Sequence, residues 1–145
     1  FAIRRQRQMC IRDSPSTLIS IIESLQPRAK SLQEFIFKSK SFFYPPKSYD
    51  KDEKSKAWPN SDATKIASQS IQILDAIDTW SSVRIEKKIK AFASDNSYGV
   101  GKVIMPLRLA VFGSLDGPSL FDIFFILGKK EAINRIQRAI TFMPK

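Results

Sequence analysis

Apolar residues recur every three or four positions in segment after segment of this chain, and no segment alternates apolar and polar with a period of two. A period near 3.6 buries one face of a helix, whereas a half-buried strand needs the period of two, so the pattern points to an all-α fold. The segments are short and separated by turns rich in proline and glycine. The expected architecture is therefore a helical bundle or cage. With 145 residues, 43% of them apolar, the chain can close one domain with a modest core, or two small helical subdomains.

Leu18, Ile21, Ile22 and Leu25 mark a first helix, with Ser16 or Thr17 placed to cap it and Pro27 to end it. A second is predicted over 28–43, striped by Leu32, Phe35, Ile36 and Phe42 or Phe43. Tyr44 to Asp50 reads as a loop held extended by Pro45 and Pro46, and Asp50 as the N-cap of a short charged helix anchored by Trp58. Asp62 is placed to cap the next helix, whose face carries Ile66, Ser70, Ile73, Ile77 and Trp80, widened by Leu74. Val83, Ile85, Ile89 and Phe92 define another, with Arg84, Lys87, Lys88 and Lys90 on its solvated faces. The two glycines within 96–101 supply a turn, and a helix starts near Lys102. Pro106 either starts a new helix or kinks that one. Gly113 to Gly117 is turn chemistry, Pro118 to Leu127 a helix with proline in its first turn, Gly128 its stop, and 129–142 a last helix. Trp58, Trp80 and the phenylalanines read as core rather than as stacking platforms.

Histidine is absent and Cys10 is the one cysteine, which removes disulfide frameworks, common zinc sites, Cys-His dyads and Ser-His-Asp triads together. No metal or cofactor is expected in this chain. No apolar run reaches the roughly 18 residues that span a bilayer, and no tripartite export signal opens the chain, so the expectation is a soluble, cytoplasmic protein with no membrane partner. The net charge of +10 suits attraction to phosphate. Residues 1–14 supply +3 of it through Arg4, Arg5, Arg7 and Arg12 against Asp13. Their sequence looks like a translated sequencing-adapter junction, so 1–14 is read as a sequencing or cloning artefact, with a basic RNA-binding arm as the alternative. Beyond it, 15–98 is read as one helical subdomain and 99–145 as a second, the latter holding seven basic against three acidic residues.

Arg108 stands alone in an apolar helical run, Gly101-Lys102-Val103-Ile104-Met105-Pro106-Leu107-Arg108-Leu109-Ala110-Val111-Phe112. Burying an unpaired guanidinium is costly, so it needs an acidic partner, Asp116 or Asp122 across the turn, or a place where the helix surface meets an anionic ligand. Lys102, Lys129, Lys130, Arg135 and Arg138 are candidates for phosphate contacts, which position a nucleic acid without reading it.

Gly101-Lys102-Val103, Pro106-Leu107-Arg108, Gly113, Gly117-Pro118, Leu120-Phe121, Leu127-Gly128-Lys129 and Arg135-Ile136 together resemble, in order and spacing, the C-terminal anticodon-binding domain of bacterial glutamate-tRNA ligases, class I aminoacyl-tRNA synthetases. Phe42-Phe43-Tyr44 and Tyr49-Asp50 extend the resemblance over 16–142. It implies a helical cage gripping the anticodon stem-loop of glutamate tRNA, with Arg108, Gly117, Pro118 and Leu120 at the anticodon bases. It also implies a monomer whose parent uses ATP to attach glutamate to its tRNA, the catalytic domain lying in cis and N-terminal to a fragment that is itself non-catalytic. Lys38-Ser39-Lys40-Ser41 resembles the end of the Lys-Met-Ser-Lys-Ser loop of class I synthetases, but it falls in the phenylalanine-rich region matching the helical domain and is not read as a site. A helical protein-interaction domain with a basic docking face is the alternative.

Overall fold

A computed structural model describes residues 15–143. The reading of 1–14 as an artefact or arm lies outside the described residues. Among the described residues eight helices follow in order: α1 Pro15–Leu25, α2 Leu32–Phe43, α3 Lys51–Ala57, α4 Ser61–Asp75, α5 Ser82–Asp95, α6 Val100–Phe112, α7 Leu120–Leu127 and α8 Lys129–Phe142. No strand occurs among the described residues. The all-α reading holds.

Helices α4, α6 and α8 pack against one another at the centre, α3 lies on α6, α5 and α7 pair on one side, and α1 and α2 close over α7. The shared core takes Ile66 and Leu74 from α4, Ile85 and Ile89 from α5, Leu107 and Leu109 from α6, Phe124 from α7 and Ile136 from α8. Because one cluster runs through every helix, the two subdomains expected from sequence share a common interior. Trp58 and Phe42 are buried in it as expected, whereas Phe37, Phe125 and Phe142, also read as core, are exposed. The Trp58 indole N–H donates to Thr64 Oγ1 at 2.9 Å, and half-buried Trp80 donates to the Phe124 carbonyl at 2.9 Å.

Local chemistry sets the ends, and several differ from expectation. The second helix starts at Leu32 because Ser31 caps it; residues 28–31 form the preceding turn. Asp50 caps α3 as expected, but α4 is capped by Asn60, with Asp62 in its first turn. That helix stops at Asp75, so Ile77 and Trp80 join the core from the loop that follows. The turn after α5 takes its left-handed residue at Ser97 (φ 57°), with Tyr98 N–H closing back on the Ala93 carbonyl at 2.8 Å. Gly99 is the extended N-cap of α6 and Gly101 lies inside it. Helix α6 continues through Pro106, which lies inside it and has no amide to bond the Lys102 carbonyl. Pro118 precedes α7, which begins at Leu120.

Glu34 ties the start of α2. Its carboxylate accepts the Lys30 amide at 2.9 Å and pairs with Lys38 at 3.0 Å, while its own amide donates to Ser31 Oγ at 3.1 Å. These contacts, the Lys30 amide foremost and then Lys38, hold its carboxyl below the ordinary 4.5. A pKa depressed on folding contributes stability that is present above the unfolded value and lost as pH falls through the folded one. Glu34→Gln is therefore expected to melt below wild type near neutral pH, with the gap closing on acidification below that ordinary value. Thermal melts across that range check this, and a constant gap would contradict it.

Candidate nucleic-acid interface

The segment from Gly113 to Ser119, joining α6 to α7, is anchored from four directions. Gly113 ends α6 in the left-handed conformation (φ 78°) with its amide on the Leu109 carbonyl. Glu53 of α3 accepts from Ser114 Oγ and from the Leu115 amide, both at 3.2 Å. Lys38 of α2 reaches Asp116 at 3.6 Å. Arginines complete the set: Arg28 Nη1 donates to the Gly117 carbonyl at 2.6 Å, and Arg108 Nη1 donates to the Pro118 carbonyl at 2.6 Å and to Gly117 at 3.4 Å.

Arg108 thus resolves the question its sequence posed. It is half-buried, and among the described residues no carboxylate lies within ion-pairing distance of it; its partners are backbone carbonyls. Burial, then the nearby charge of Arg28, depress its pKa, and Asp116 opposes them. A guanidinium offers five donors, and the hydrogen bonds to Gly117 and Pro118 both use Nη1. The edge formed by Nε and Nη2 carries no protein acceptor among the described residues. A charged group held by one nitrogen and uncommitted at the other edge is equipped to take an outside acceptor.

Gly117 is buried at φ +147°, a conformation that L side chains rarely adopt, and a Cβ there would sit 2.8 Å from Phe112 Cε2. Glycine lets the bend press on the Phe112 ring and aim its carbonyl at both arginines. Pro118 is buried and Leu120 is 1% exposed. Both residues, placed at the anticodon bases by the resemblance, shape the bend from inside, because α7 folds its first turn into the core.

Arg135, expected at phosphate, is likewise corrected. It is 2% exposed, paired with Glu131 at 3.0 Å and donating to the carbonyls of Ser41, Phe42 (3.2 Å) and Val111 (2.8 Å). Those carbonyls belong to the last turns of α2 and α6, where orphan acceptors and the negative helix end attract a cation. Lys129 spends its ammonium on the Ile77 carbonyl at 3.0 Å. Lys130 is exposed, as are Lys102, 5.4 Å from the Tyr98 ring centre, and Arg138, 5.8 Å from that of Phe142. Lys102 also lines, with Lys56 and Asn60, a cleft between α3, α4 and α6.

Arg28, Glu53 and Lys38 went unread from sequence. Arg28 follows Pro27 as one more basic surface residue, Glu53 sits in a charge-rich stretch, and Lys38 belongs to the tetrapeptide set aside as a mimic. Nothing local marks any of them, since each acts on a segment far along the chain.

The family model described as "Anticodon binding domain" matches residues 3–140. This chain belongs to that family. The glutamate-tRNA ligase of Flavobacterium johnsoniae is 38% identical over 121 residues, 83% of this chain and 24% of that protein. That of Chlorobaculum parvum is 32% identical over 127 residues, 88% of this chain and 25% of its own length. The crystal structure of the Elizabethkingia meningosepticum glutamate tRNA ligase in complex with its amino acid superposes with a TM-score of 0.83 at 29% identity, over 96% of this chain and 28% of that one. The Elizabethkingia anophelis enzyme gives 0.79 at 29%, over 94% and 27%. The domain spans about a quarter of the length of the curated relatives it matches. It is a member of the anticodon-binding domain family that is similar over most of its length to part of these glutamate-tRNA ligases. Among the described residues no helix is long and apolar enough to cross a membrane.

Proposed function

We propose that this domain grips the anticodon stem-loop of glutamate tRNA and reads a base through the outer edge of Arg108, as part of a monomeric, cytoplasmic ligase that joins glutamate to its tRNA with ATP. The observation that carries the reading is a half-buried guanidinium, bound to carbonyls rather than to a carboxylate, with one donor edge uncommitted. Unpaired anticodon bases expose their hydrogen-bonding edges and ring faces, and a planar guanidinium can bond the one and stack on the other. Partial burial strengthens such a bond by thinning the competing water. The carbonyls of Gly117 and Pro118 fix the plane of the group in advance, so little side-chain entropy is lost on binding. Lys102, Lys130 and Arg138 add sequence-blind attraction to phosphate, and affinity falls steeply as salt rises.

The test compares an RNA hairpin carrying the glutamate anticodon with one of identical stem and altered anticodon. The wild-type chain is expected to prefer the first. Arg108→Ala should erode that preference by about 1–3 kcal/mol, roughly 5- to 150-fold. Equal losses on both hairpins would overturn the base-reading role. Equal wild-type affinity for both would favour a basic face that docks any polyanion, an acidic protein included.

A further inference from the structure

Apolar surface stands open on the outer side of α1 and α2. In α1, Ile21 and Leu25 enter the core, but the apolar arc runs on through Leu18, Ile22 and Ile19, the last 54% exposed. In α2, Phe42 is buried while Leu32, Ile36 and Phe37 are exposed, Leu32 at 74% and Phe37 at 75%. The two helices hold six of the eleven large apolar side chains exposed among the described residues. They pack on each other and on α7, whose Phe125 is exposed as well. A surface helix keeps its apolar stripe to the side that meets the core, so an arc that continues past it calls for a second neighbour.

The edge of this face is acidic, in a chain whose net charge is +10. Glu23 of α1 and Asp122 of α7 line a cleft with Ser20, Ser82 and Phe125, and neither carboxylate has an ion-pair partner among the described residues. Such a rim repels phosphate, so the surface that fits here is not RNA but protein, apolar at its centre and cationic at its edge. We propose that the open face of α1 and α2 seats the remaining part of a glutamate-tRNA ligase, docked within one chain, with lysines or arginines of that part opposite Glu23 and Asp122. The inference rests on the ligase reading above and adds to it the surface through which the domain is held. The Flavobacterium and Chlorobaculum relatives are about four times as long as the stretch they share with this chain, so a protein of their kind carries ample further chain to cover the face. Docking within one chain needs only a modest contact, because the connection keeps the effective concentration high.

The experiment compares the 145-residue chain with a chimera in which it replaces the matching quarter of the Flavobacterium johnsoniae ligase. On a Cys10→Ser background, single cysteines are placed on the face by Ile22→Cys and Ile36→Cys, and on exposed positions of α5 and α8 by Lys88→Cys and Phe142→Cys. Labelling by a maleimide is followed in time. All four thiols are expected to react readily in the isolated chain. In the chimera, those at 22 and 36 should slow roughly tenfold or more while the other two keep their rates, since a covered thiol reacts only in the fraction that has opened. Ile36→Glu should leave the melting temperature of the isolated chain within about two degrees of wild type, as exposed substitutions do. In the chimera the same change should lower it clearly, because an unpaired carboxylate is then buried. Equal labelling in chain and chimera would overturn the proposal. Slow labelling in the isolated chain would overturn it too: relief on dilution would assign the face to a second copy, and relief on deleting residues 1–14 to that segment. If the chimera fails to fold, the Elizabethkingia meningosepticum ligase serves as host for the same comparison. A chain indifferent to the anticodon would remove base reading by Arg108 and leave these labelling rates untouched, so the two readings fail separately.

Discussion

Arg135→Met is expected to destabilise the domain by about 3–5 kcal/mol, the cost of removing one partner from a buried charged network. For a chain of this size that is a fall in melting temperature of roughly 10–15 °C. Methionine roughly preserves the side chain's length and apolar body but supplies none of its donors, so the Ser41, Phe42 and Val111 carbonyls and the Glu131 carboxylate all lose a bond. The carbonyls belong to the closing turns of two helices, so α2 and α6 lose their shared cap at one stroke. Arg135→Lys should recover little, since a single ammonium cannot reproduce the planar fork that meets several acceptors at once. A thermal melt followed by circular dichroism decides the matter. A midpoint within a degree or two of wild type would show that water can replace the guanidinium.

Gly117→Ala carries the second large effect, on stability and recognition together. A side chain at φ +147° adds strain of about 1–3 kcal/mol. The new Cβ would lie 2.8 Å from the Phe112 ring, which is 3% exposed and packed edge-on against Phe42 at 5.3 Å, so it has little room to retreat. Overpacking of that kind costs a further ~1–3 kcal/mol. The bend can relieve the clash by moving outward, but that carries away the carbonyls on which Arg28 and Arg108 are seated. Gly117→Ala should therefore lose anticodon preference as well as melting temperature, whereas Glu53→Ala, which frees only the Ser114 and Leu115 contacts, leaves both arginines seated. Melting and hairpin binding measured on the same samples check this. An alanine variant with unchanged preference would show that the bend need not be held in place for recognition.

Helices were legible in the sequence because each is a local statement. Asp50 caps α3 and 129–142 forms α8 as read, since capping side chains and a 3.6-residue stripe act within a turn or two. Boundaries slipped where nearby groups offered equivalent chemistry: Asn60 won over Asp62, and Ser97 took the left-handed position that the neighbouring glycines advertised. Whether two helix groups share a core depends on which faces meet, and that is not a local property of the sequence.

By itself the sequence determined that the chain is helical, that an arginine in an apolar run needs an unusual environment, and which family the 101–136 pattern resembles. Only the tertiary structure decided which guanidinium is spent on protein acceptors and which keeps an edge without one among the described residues. Arg108, in an apolar run, and Arg135, in a charged amphipathic helix, are both helical cations whose partners the sequence does not name. One meets the closing turns of two other helices and is consumed by them; the other meets a bend that takes a single nitrogen and leaves an edge uncommitted. A side chain's partners are chosen by whatever packing brings opposite it, here across 9 to 94 residues of chain, and no local pattern encodes that meeting.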